Sequence, residues 1–81
     1  MIKILVEIIA QAAIFLELSD EETIPLEIAV KQQEDMAFKL QQLSQEERRE
    51  FIKILNEIAK DNPNREEKEV LLKLPEAVGI T

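Results

Sequence analysis

Residues 2–18 read IKILVEIIAQAAIFLEL, with polar side chains at Lys3, Glu7 and Gln11, spaced by four. On a helix that spacing makes one narrow polar stripe and leaves most of the circumference apolar. The β-branched content of Ile2-Lys3-Ile4-Leu5-Val6 would also suit a strand. Length and the i, i+4 stripe favour a helix. A helix that is apolar nearly all round has to be covered on more than one side. It is therefore either a central helix, or one with a face in the domain and a face in an interface.

The next segment, SDEETIP, predicts a turn: Ser19 and Glu22 have capping-box spacing, and Pro25 suits a first helical turn. A second helix is expected from about Pro25 or Leu26 to Leu43. Leu26, Ala29, Val30, Gln33, Met36, Ala37, Leu40 and Leu43 fall on one stripe, while Ile28 and Phe38 lie off it as candidates for a smaller contact. Ser44-Gln45-Glu46-Glu47 is the clearest local signal. Ser44 can accept from the backbone N–H of Glu47, whose side chain can reach back to Ser44, so a third helix starts at about Gln45. Phe51, Ile52, Leu55, Ile58 and Ala59 form its apolar face, with Ile54 beside it, and Asp61-Asn62-Pro63 ends it. Asn64 then caps a shorter helix from about Arg65 to Leu74, stopped by Pro75. Val78 and Ile80 in the tail can dock onto the body. The expected fold is all-α, a single domain over residues 1–81: a compact bundle of three long helices and one short C-terminal helix, joined by short turns.

Composition narrows the chemistry. The chain has 81 residues, no Cys, no His, no Trp, no Tyr and one Gly. That removes a disulfide scaffold, a Cys/His zinc site and a glycine-rich phosphate loop. Nucleophilic catalysis needs a nucleophile, a base and an orienting group. The hydroxyls are Ser19, Thr23, Ser44 and Thr81, and the serines read first as caps. Adjacent acids such as Glu34-Asp35 and Glu46-Glu47 point about 100° apart on a helix and read as solvated faces or helix-start charges. Asp20-Glu21-Glu22-Thr23 lacks the spacing and the glycine of a calcium loop. The expectation is no catalytic residue, no metal and no cofactor, hence not an enzyme.

Charge points to a kind of partner. Ten Lys+Arg against 17 Asp+Glu give a net charge of −7, which disfavours direct contact with nucleic acid or anionic lipid and favours cationic partners. Glu17, Asp20, Glu21, Glu22 and Glu27 fall within one short stretch that contains no basic residue. This acidic turn is either a solvated turn with helix-start acids or a docking patch for a basic surface. On helix three, Glu46, Glu47, Arg48, Arg49, Glu50, Lys53 and Glu57 mix the two signs, with Lys53–Glu57 and Glu57–Lys60 as supportive pairs on a solvated face. At the start, Lys3 before Ile4-Leu5-Val6 faintly resembles a signal peptide, but Glu7 cuts the apolar run short. A cytoplasmic, non-membrane protein is expected.

The order of LSDEE, PLEIAVKQQEDMAFKLQQLSQEERREFIKILNEIA and the closing LPEAVGI resembles that of small, acidic, helical bacterial proteins. Among these are immunity proteins, which bind and block a toxin used against competing bacteria. The resemblance spans most of the chain and rests on the helix pattern. It matches no interface motif, so no family site carries over residue by residue. It implies an inhibitor of a basic partner, since acidic immunity proteins often neutralise basic nuclease toxins. In that reading Glu17, Asp20, Glu21, Glu22 and Glu27 stand in for an anionic substrate and occlude the partner's site. The alternative is a homodimeric helical adaptor or structural protein with residues 2–18 as its interface.

Overall fold

The computed structural model describes residues 2–81, folded as α1 (Ile2–Leu18), α2 (Leu26–Leu40), α3 (Gln45–Asp61) and α4 (Arg65–Ala77). The local signals for the last two helix starts act as expected. The Ser44 hydroxyl accepts from the Glu47 amide at 3.1 Å, and the Glu47 carboxylate accepts from the Ser44 amide at 2.8 Å. The Asn64 side chain accepts from the Glu67 amide at 3.0 Å. These contacts satisfy amides that the first helical turn leaves without a partner.

Four expectations need correction. First, α2 stops at Leu40 rather than Leu43. The amides of Gln42 and Leu43 bond the carbonyls of Lys39 and Leu40, a tighter i→i−3 turn, because Ser44 must be extended to cap α3. Arg48 secures this corner by donating to the carbonyls of Leu43 and Gln41, so it is not simply a solvated charge of α3. Second, Pro75 does not stop α4, which runs on to Ala77. Proline removes one amide, but the Val78 amide still reaches the Leu74 carbonyl. The helix ends two residues later in a Schellman turn: the Gly79 amide bonds Glu76 and the Ile80 amide bonds Pro75, with Gly79 at φ +76°. At 13 residues α4 is therefore nearly as long as α2, which has 15. Third, it is Asp20, not Ser19, that accepts from the amide three residues on, and Pro25 at the N-cap of α2 provides no side-chain cap. Fourth, among the described residues the ion pair is Lys31–Asp35, both exposed, while the charges of α3 stay unpaired. Holding two long solvated side chains in one geometry costs about as much as their attraction supplies.

The core lies between α1, α3 and α4. Leu55 and Leu71 are fully buried at its centre, with Phe51, Ala59 and Leu74 around them. Val78 and Ile80 fold back into it, as the tail pattern predicts. α1 packs on all three other helices, whereas α2 packs on α1 and only lightly on α3 and α4. Ala29 and Leu40 are the buried residues of α2, while Leu26 and Val30, on its expected inner stripe, remain exposed. The Cα radius of gyration, 12.4 Å, is close to the roughly 12 Å of a folded chain of this length.

Leu55→Ala should destabilise the fold by about 2–5 kcal/mol in urea unfolding, through lost burial and the cavity it leaves. Gly79→Ala should cost about 1–2 kcal/mol, since a side chain is strained at positive φ. Its Cβ would also meet Gln41 Nε2 at 3.0 Å, the atom that donates to the Val78 carbonyl.

Candidate protein-binding groove

The carboxyl end of α1, the inner edge of α2 and the length of α4 enclose an open groove of about 500 Å³. Its apolar lining comes from Ala13, Leu18, Met36, Val70, Leu74 and Val78. Helical spacing explains why α4 contributes both floor and rim. Val70, Leu74 and Ala77 lie on one column, and Glu66, Glu69 and Lys73 on the next. Glu17 supplies a third acid from α1, so the rim carries three glutamates against Lys73 alone. Gln33 donates from Nε2 to Glu17 at 3.0 Å and orients that carboxylate from α2. Met36 places an unbranched, adaptable side chain in the lining.

The acids expected to act together divide into separate roles. Glu17 lines the groove. Asp20 accepts from the Thr23 amide at 2.9 Å and organises the turn that follows Leu18. That hydrogen bond, helped by the Thr23 hydroxyl and the Glu22 amide, holds the Asp20 carboxyl below its ordinary value. Glu21 and Glu22 stand exposed in this turn. Glu27 is exposed on the first turn of α2, about 120° around that helix from Gln33, and so lies off the groove. The turn thus follows directly on Leu18, which lines the groove, while Glu27 does not join it.

Glu66 and Glu69 were not among the expected site residues. Their i, i+3 spacing, continued by Lys73, was visible as one face of α4. Their pairing with Glu17 depends on how α1 crosses α4, which no local pattern reports. Among the described residues no group of three or more His, Cys, Asp or Glu is placed to hold a metal ion. Among the described residues no helix is long and apolar enough to cross a membrane. No protein-family model, curated protein or solved structure matches the chain.

The ionised form of Asp20 is the one the turn favours. Its contribution is present above the ordinary carboxylate pKa and is lost as pH falls through the lowered folded value. In NMR the Thr23 amide shift should titrate with a midpoint below 3.8, the ordinary value. Asp20→Ala should abolish that titration and speed Thr23 amide exchange, leaving the helical circular dichroism unchanged.

Proposed function

We propose that this protein is a non-enzymatic binding module that captures and occludes a basic protein partner in the cytoplasm, as an immunity- or antitoxin-type inhibitor does. One observation carries the reading. An apolar groove long enough to follow α4 is rimmed by Glu17, Glu66 and Glu69 and takes in Leu18, the residue before the acidic turn. An amphipathic basic segment matches both parts, with its apolar side on Met36, Val70 and Leu74 and its cations on the rim. Asp20, Glu21 and Glu22 extend the negative field beyond the groove and would speed encounter with a cationic surface. Glu27, set apart on α2, adds only to the long-range field.

Charge reversal at the rim tests the reading. The tagged protein should retain a basic protein stoichiometrically at low salt from cells of its source. Glu17→Lys combined with Glu66→Lys and Glu69→Lys should slow association at least about tenfold and flatten its salt dependence. All three positions are exposed, so the triple variant should fold normally. An acidic partner, or kinetics unchanged by the triple reversal, would refute the proposal.

A further inference from the structure

α1 fully buries its smaller side chains, with Ile9 and Ile14 packed beside them, and leaves most of its other large ones outward. Val6, Ala10 and Ala13 are buried, whereas Ile4 is 61%, Leu5 50%, Ile8 57% and Phe15 55% exposed. At about 100° per residue these four, with Ala12, occupy one side of the helix. The side continues onto α2, where Gln32, Asp35 and Lys39 line a shallow groove together with Ala12, Phe15 and Leu16. Ile28, 52% exposed, sits in the same column of α2 as Gln32 and Asp35. Leaving so many large apolar groups in water on one contiguous surface is unusual for an isolated chain.

The surface area says how much cover is missing. The chain exposes 5984 Å² at a mass of 9.3 kDa. A folded monomer of that mass exposes about 5000 Å². The excess, about 1000 Å², compares with the roughly 800 Å² that each partner buries in a standard interface.

Charge selects the occupant. A chain of net charge −7 repels its own copy wherever acids would meet acids. The groove rim, with Glu17, Glu66 and Glu69, is such a place. The outer side of α1 is not: Lys3, Glu7 and Glu17 project elsewhere around the helix. The edge on α2 carries Asp35 and Lys39, one charge of each sign. A basic partner finds no acid to pair with on α1's outer side, and an anionic lipid surface is repelled by the chain as a whole. We infer that a second copy of this chain covers the outer side of α1, in a two-fold pair that sets α1 against α1 and leaves the acidic groove of each copy open. Ala12, the small residue between Ile8 and Phe15, is where the two copies of α1 can cross most closely, at the two-fold axis. This pairing does not rest on the basic-partner reading.

The test is the mass of the full chain by sedimentation equilibrium across the micromolar range. The expected mass is twice 9.3 kDa. Ile8→Glu and Phe15→Glu should each raise the dimer dissociation constant about a hundredfold or more, because the carboxylate would be buried without a partner. Both residues are exposed in the single chain, so circular dichroism should remain helical. Disulfide trapping gives a readout that does not depend on these charged variants. The chain has no cysteine, so Ala12→Cys should oxidise to a cross-linked pair far faster than Glu57→Cys on the exposed surface of α3. A single-chain mass at every concentration, dimers that persist in both Glu variants, or equal cross-linking at Ala12 and Glu57 would overturn the inference. So would a single-chain protein that instead floats with uncharged phosphatidylcholine vesicles.

Discussion

The inward contact of α1, made by Val6, Ala10 and Ala13, is the constraint on which the rest of the structure depends. α1 is the helix that packs firmly on all three others, and α2 is held to the body chiefly through it. The small side chains on this stripe let neighbouring helices approach closely, and Leu55 and Leu71 fill the centre of the core that α1 helps to enclose. Choosing that stripe also decides what remains outside. Full burial of a Leu, Ile or Phe side chain is worth about 1.5–3 kcal/mol. Ile4, Leu5, Ile8 and Phe15 forgo much of that in the single chain, so the same choice that closes the core leaves an apolar side open.

Polar groups are arranged around this core without entering it. Among the described residues no polar or charged residue is buried. Caps and corner contacts take up the backbone groups at the helix ends: Ser44 and Glu47 at α3, Asn64 at α4, and Arg48 at the end of α2. The glutamates are thus free of structural duty at the groove rim, apart from the Gln33–Glu17 hydrogen bond. A rim of this kind can hold negative charge at little cost to stability, because its carboxylates stay solvated. An acidic groove and an apolar side whose few edge charges balance are physically compatible on one small chain. Each attracts what the other does not.

The parts of the fold legible in the sequence were those governed by contacts a few residues apart. The Ser44 capping box, the Asn64 cap, the stripe Phe51–Leu55–Ala59 and the docking of Val78 and Ile80 all follow from such spacing. Errors arose where a local signal had a competitor. Ser19 and Asp20 can both accept from an amide three residues on, and the tertiary path of the turn settles on Asp20. Pro75 lacks an amide, but in the last turn of a helix that loss is a single hydrogen bond, and burial of Leu74, Val78 and Ile80 outweighs it. Arg48 looked like one charge among many until the end of α2 arrived beside it. The candidate site was half legible: Glu17 and the turn acids stood out as a run without cations, whereas Glu66 and Glu69 belong to a helix of mixed charge that drew no attention as a site.

What the sequence alone determined was the number of helices, their starts, the all-α class and an acidic chain without Cys or His. Periodicity, caps and composition carry that information because they act within a turn or two of helix. What only the tertiary structure decided was which side of the nearly all-apolar α1 faces the core, and which acids share a groove. A helix with apolar residues around most of its circumference contains no local instruction about its rotation. That is settled by the volumes available in the core, where Val6, Ala10 and Ala13 fit. Once it is settled, Glu17 is brought to Glu66 and Glu69, and Ile4, Ile8 and Phe15 are turned outward.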